Sequence, residues 1–223
     1  AKTTSNILPL VPTDTLRSPA NMFLIKKAVQ LILNAKKPLI LVGNGCVREN
    51  ATFYVRKLVE LTGICSMNTF MAKGVISDKS KHHLQTIGIK EADHALLAMK
   101  EADLVIAIGY DLVEYSPKFW NHSLDKKILH IDFTSSETDT YYTPAVEIVA
   151  DIELTIDLIL SELEKEKEKD PCISCFPEHD IPESFKKIKS EVTHKISKYK
   201  NDTSYPIKPE KLITSVRKIL GPR

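Results

Sequence analysis

The feature that most constrains this chain is a set of short apolar runs without polar alternation, separated by stretches of helical periodicity. Leu39-Ile40-Leu41-Val42 and Leu104-Val105-Ile106-Ala107-Ile108 are the clearest. A strand with one wet face alternates apolar and polar residues, so runs apolar at every position predict strands covered on both faces. Ile64 to Asn68, Lys127 to Phe133 (through Ile128, Leu129 and Ile131) and Val146 to Val149 read as further strands.

The intervening segments repeat every three or four residues. Ser18-Pro19 offers an N-cap and a first-turn proline for a helix carrying Phe23, Ile25, Ala28, Val29, Ile32 and Leu33, broken at Lys37-Pro38. A second helix runs from about Asn50 to Leu61, with Gly63 placed to cap it. Glu91 to Ala102 reads as a third, and Asp151 opens a fourth that reaches about Glu164. Alternating helices and buried strands predict an α/β fold. Its mostly parallel, doubly wound, Rossmann-like sheet has about six strands, with helices on both faces and right-handed crossovers.

The core domain is expected over residues 16–165, preceded at 1–15 by a linker from a further N-terminal domain. Residues 166–206 read as a linker that begins in a Lys- and Glu-rich charge run. It then contains an amphipathic helix, Pro182 to Lys200, bearing Phe185, Ile188, Val192, Ile196 and Tyr199. Its apolar face needs a cover, which is expected from sequence outside the chain.

Composition excludes more than it selects. Thirty-one basic residues against twenty-nine acidic leave a net charge of +2, far from the excess of a nucleic-acid-binding surface. The apolar runs fall well short of the ~20 residues that cross a bilayer. Ala1 to Asn6 carries no signal-peptide core, so a cytoplasmic, non-membrane protein is expected. Cys46, Cys65, Cys172 and Cys175 form no disulfide framework. Cys172-Ile-Ser-Cys175 with His179 reads either as the start of a zinc site or as incidental loop cysteines.

Open parallel sheets bind ligands outside the carboxyl ends of their strands, where glycine permits close approach. Gly43, Gly45, Gly88 and Gly109 stand at such places, although a full dinucleotide fingerprint needs a third glycine where Arg48 stands. Gly43 and Gly45 therefore read as a nucleotide contact or as a tight turn. Asp132 and Asp151 read as acceptors for ribose hydroxyls or as helix caps. The segment Gly109 to Asn121 carries Tyr110, Tyr115, Phe119 and Trp120. A loop that aromatic is expected to pack on a neighbour, the alternative being a cover for the sheet edge. No phosphate loop, zinc helix or nucleophile turn is present, and no catalytic residue can be named.

Taken in order, several segments resemble the central domain of thiamine-diphosphate-dependent enzymes over about Ser18 to Ile159. They are Lys37-Pro38-Leu39-Ile40-Leu41-Val42-Gly43-Asn44-Gly45, Thr69 to Gly74, Ala102 to Asp111 and His130-Ile131-Asp132. Gly109-Tyr110-Asp111, Glu114-Tyr115 and Pro117-Lys118-Phe119-Trp120-Asn121 are most similar to acetolactate synthases, especially the catabolic type. The resemblance implies a parent enzyme of three α/β domains, of which this chain is the central one and residues 207–223 begin the diphosphate-binding one. It further implies thiamine diphosphate and Mg²⁺ held by the flanking domains of the same polypeptide, a homo-oligomer, and conversion of two pyruvates to 2-acetolactate and CO₂. The chain alone is then inactive, since it has no Gly-Asp-Gly.

Biosynthetic members of that family carry FAD on this domain. By resemblance, the flavin nucleotide would meet Gly43, Gly45, Gly88, Ile89, Gly109, Asp132 and Asp151. Two departures count against it. Asp111 stands where FAD-binding members have an arginine, and Gly88-Ile89-Lys90-Glu91 stands where they have Gly-Met-His-Gly, with Lys90 a partial compensation. Catabolic members lack FAD. A free-standing FAD- or NAD-binding module, or another thiamine-diphosphate-dependent decarboxylase, remains the alternative reading.

Overall fold

The apolar runs form the centre of one sheet in the computed structural model, which describes residues 18–88, 95–137, 139–169 and 181–220. The strands are β1 (Pro38–Val42), β2 (Cys65–Thr69), β3 (His83–Ile87), β4 (Leu104–Ile108), β5 (Lys127–Asp132) and β6 (Val146–Val149). They make a six-stranded sheet in the order β3-β2-β1-β4-β5-β6, and every pairing is parallel. The order in which successive strands are added reverses at the β1–β4 pair, which runs in parallel register from Pro38↔Leu104 to Val42↔Ile108.

Alternate residues of the central strands β1, β4 and β5 feed two cores. Ile40, Val42, Leu104, Ile106, Ile108, Leu129 and Ile131 face α1 (Met22–Asn34), α3 (Thr52–Thr62) and α5 (Ile152–Lys169). Leu39, Leu41, Met67, Val105, Ala107 and Ile128 face the opposite side with α4 (Ala95–Glu101). A fully buried Leu or Ile contributes roughly 1.5–3 kcal/mol, so a sheet apolar on both faces forms only when both are roofed. At the amino ends of the strands, the Asp103 carboxylate accepts from the amides of Lys36 and Lys37, each at 2.8 Å. That contact fixes where β1 and β4 begin.

Local signals acted largely as read. Gly63 ends α3 in the left-handed conformation at φ 66°, and Asp151 caps α5 by accepting from Leu154 N–H at 2.9 Å. Two expectations need correction at the N-terminal helix and at the sheet edge. Ser18-Pro19 does not open the first helix: Asn21 does, its side chain accepting from Phe23 N–H at 2.9 Å. The asparagine stands two positions before that amide, where an N-cap oxygen reaches it. The sixth strand, β3, was not visible as an apolar run because His83, Gln85 and Thr86 interrupt it. It pairs on one side only, and its register with β2 shifts between Ser66 and Asn68.

The amphipathic helix α6 (Glu183–Lys198) finds cover for its first turns within the chain. Phe185 and Ile188 are buried in the second core, against α4 and β3. The final helix α7 (Pro209–Leu220) differs, having no buried residue and leaving Ile213 66% and Ile219 83% exposed. Among the described residues no helix is long and apolar enough to cross a membrane. Residues 1–15, Ile89, Lys90, Cys172, Cys175 and His179 lie outside the described residues.

Candidate functional site

The carboxyl ends of β1 and β4 meet backbone to backbone. A methyl group on Gly43 would come within 2.3 Å of the Gly109 carbonyl oxygen, and one on Gly45 within 2.6 Å of the Gly109 Cα. Gly109, at φ +60°, would bring its own methyl to 2.4 Å from the Cys46 nitrogen. These three glycines share one reason, which is that the β1 turn and the β4 turn occupy the same narrow space. The short helix α2 (Gly45–Arg48) follows at once.

Every amide of that turn already has an acceptor. Gly43 N–H donates to Ile108 O at 2.9 Å, Gly45 N–H to Gly109 O at 2.8 Å and Cys46 N–H to Gly43 O at 3.2 Å. Asn44 N–H donates to a carboxylate oxygen of Glu114 at 2.8 Å. The other Glu114 oxygen accepts from the Thr69 hydroxyl at the end of β2, and Asp111 N–H approaches the first at 3.4 Å. One side chain thus ties together the loops after β1, β2 and β4.

Three rings of the aromatic segment pack inward, covering the end of the sheet. Tyr110, Tyr115 and Trp120 are buried in the second core, with Tyr142 beside Tyr110 at 5.6 Å between ring centroids and Trp120 edge-on to Tyr142 at 6.1 Å. Tyr110 Oη donates to the Tyr115 carbonyl, and Trp120 Nε1 reaches Tyr110 Oη at 3.4 Å. His130 Nδ1 lies 2.8 Å from Tyr142 Oη, and burial lowers the histidine's pKa, so these rings form a neutral aromatic block. Phe119 and Val113 alone of the segment's large apolar side chains stay exposed.

Over β4 and β5 opens a cavity of about 360 Å³ whose floor includes Gly45, Gly109 and Asp132. Its charged lining is one cation, Arg48, against three carboxylates, Asp111, Asp132 and Glu137. Arg48 lies over the Phe133 ring at 5.6 Å. Asp132 is only 5% exposed and accepts from Phe133 N–H at 2.6 Å. Burial, assisted by the Asp111 charge and opposed by Arg48, pushes its carboxyl up to about 6.

Of the residues expected at a cofactor surface, the structure brings Gly45, Gly109 and Asp132 together at this cavity. Gly43 sits behind them as a packing glycine, and Asp151 spends its carboxylate on the α5 cap. Gly88, at φ +112°, lies beside the Glu114 carbonyl and the Tyr115 ring. Sequence reasoning assigned no role to Glu114 or His130. Nothing in a loop without periodicity marks a glutamate whose partner amide is 70 positions away. The set does not suit a dinucleotide diphosphate, because the turn offers no spare amide and carboxylates outnumber the cation.

Comparison with known proteins adds the family. The family described as "Thiamine pyrophosphate enzyme, central domain" matches residues 25–159, which span β1 to β6. The acetolactate synthase of Bacillus subtilis is 37% identical over 142 residues, covering 63% of this chain and 25% of that protein. A probable acetolactate synthase large subunit from Methanococcus aeolicus is 29% identical over 197 residues, 88% of this chain and 33% of its own length. The chloroplastic acetolactate synthase 2 of Nicotiana tabacum is 33% identical over 150 residues, 67% of this chain and 22% of its own. The chain spans between about a fifth and a third of the length of these relatives. With the sheet, its glycine turn and the matched residues coinciding, this chain belongs to the family of thiamine pyrophosphate enzyme central domains.

Proposed function

We propose that this chain is the central domain of a thiamine-diphosphate-dependent carboligase that converts two pyruvates to 2-acetolactate and CO₂. The observation that carries the reading is that relatives from Bacillus, Methanococcus and Nicotiana, matched across this sheet, all bear the acetolactate synthase name. Thiamine diphosphate, when bound, supplies the electron sink for decarboxylation. This chain has no Gly-Asp-Gly, and among its described residues no group of three or more His, Cys, Asp and Glu side chains is arranged to hold a metal ion. By the family resemblance, the proposal places Mg²⁺ and the diphosphate on flanking domains of the same polypeptide.

The contribution of this domain is mechanical. Glu114 and the interlocked glycines hold the loops at the carboxyl end of the sheet in one arrangement while Asp103 ties its amino end, giving the neighbouring domains a rigid wall. A cytoplasmic homo-oligomer is the assembly this reading expects. The test compares the 223-residue chain with the longer polypeptide that contains it, each given pyruvate, Mg²⁺ and thiamine diphosphate, with acetolactate measured as acetoin after acid treatment. Turnover by the longer protein and none by the chain supports the proposal. A longer protein that decarboxylates other 2-oxo acids but forms no acetolactate would refute it.

A further inference from the structure

The strand order β3-β2-β1-β4-β5-β6 is that of dinucleotide-binding sheets, whose ligands place a diphosphate against the amides of the turn after β1, at the point where the order reverses. In this chain that turn is Gly43-Asn44-Gly45, and its amide at Asn44 points at the Glu114 carboxylate. The neighbouring amides of Gly43, Gly45 and Cys46 are all bonded to backbone carbonyls. A carboxylate with its two oxygens received by Asn44 N–H and Thr69 Oγ1 makes the contacts that two phosphate oxygens would make.

We propose that Glu114 is a resident anion: it occupies the phosphate position of the dinucleotide crevice and closes that crevice to FAD and NAD. Within the turn after β1 every amide is already bonded, so that turn offers none to an incoming phosphate. To enter, a diphosphate would have to expel Glu114 and then sit near Asp111, Asp132 and Glu137, with Arg48 as the one cation lining the adjacent cavity. The segment Asp111 to Glu114 is shaped to deliver the carboxylate. Asp111 Oδ1 accepts from Val113 N–H at 2.9 Å and Glu114 N–H returns to Asp111 O at 3.1 Å, a tight turn directly after β4. The inference rests on the sheet order and the Glu114 contacts, not on the proposed reaction, so its failure would leave the carboligase reading standing.

The experiment uses the full chain as wild type and as Glu114→Ala, melted in sodium formate and, at matched ionic strength, in sodium chloride. Formate is the smallest carboxylate that can fill the space left by the deleted group. The expectation is a melting temperature about 5 °C lower in Glu114→Ala, with formate restoring about 3 °C in a saturable way. Wild type should respond equally to the two salts and show no saturable change with FAD or NAD. A folded Glu114→Ala that formate does not stabilise beyond chloride overturns the proposal, as does a wild type stabilised by either dinucleotide. If Glu114→Ala does not fold, amide exchange in the wild type decides. Strong protection of Asn44 N–H without ligand supports the resident anion, and exchange at the rate of exposed amides overturns it.

Discussion

Three glycine-to-alanine substitutions separate two costs that are usually confounded. Gly43 lies outside the left-handed range, and its added methyl would meet backbone at 2.3 and 2.5 Å, so Gly43→Ala is a purely steric insult. Gly74, at φ +101° with nothing within 4 Å, makes Gly74→Ala a purely conformational one. Gly109→Ala incurs both, at φ +60° and 2.4 Å. Positive φ costs a residue with a side chain about 1–2 kcal/mol. Overpacking costs about 1–3 kcal/mol, with the upper end apt where backbone must move. Alanine recovers about 0.4–1 kcal/mol by restricting the unfolded chain. The net losses are then about 1 kcal/mol for Gly74→Ala, about 2.5 for Gly43→Ala and about 4 for Gly109→Ala. In urea, with a slope of roughly 2.5 kcal/mol per molar, the midpoints should fall by about 0.4, 1 and 1.6 M in that order. A Gly43→Ala midpoint at or above that of Gly74→Ala would refute the close-approach argument.

Asp132 sets a pH dependence with a definite sign. Its folded pKa of about 6 lies above the ordinary 3.8, so between these values the folded state binds the proton more tightly and stability falls as pH rises. Asp132→Asn should remove that slope and stabilise the chain above pH 6 by about 1–2 kcal/mol, read from urea midpoints across pH 4 to 7; an unchanged slope would show that Asp132 titrates normally. Phe185, 1% exposed between α6 and the second core, should cost about 3 kcal/mol when cut to alanine. Exchange protection along α6 should fall with it, whereas Ile219→Ser on exposed α7 should move stability by under about 0.5 kcal/mol.

How much of this was legible depended on whether a residue's partner was local. Gly63 and Asp151 act within a few residues of themselves, and both caps could be read from their place beside a periodic segment. The apolar runs β1 and β4 announced their burial because parallel strands under two layers have no wet face. β3 gave no such signal, since an edge strand with Gln85 and Thr86 half-buried has no need to be apolar throughout. The same limit applied to α6, whose cover turned out to be β3 and α4, and to Glu114, whose meaning is set by Asn44 and Thr69. Tertiary partners, unlike caps, leave no mark in the neighbouring sequence.

The chain has one tryptophan, Trp120, and it stands 3% exposed beside Tyr110 and Tyr142, in the aromatic block at the carboxyl end of the sheet. Indole emission is therefore a local signal from that block, while far-ultraviolet dichroism is dominated by helices spread along the chain. Loss of α7, which buries nothing and carries no tryptophan, would dim the second signal and leave the first untouched. A mismatch between the two melting curves thus locates an event at the periphery, whereas a shift in emission maximum on adding a ligand places that ligand near the block.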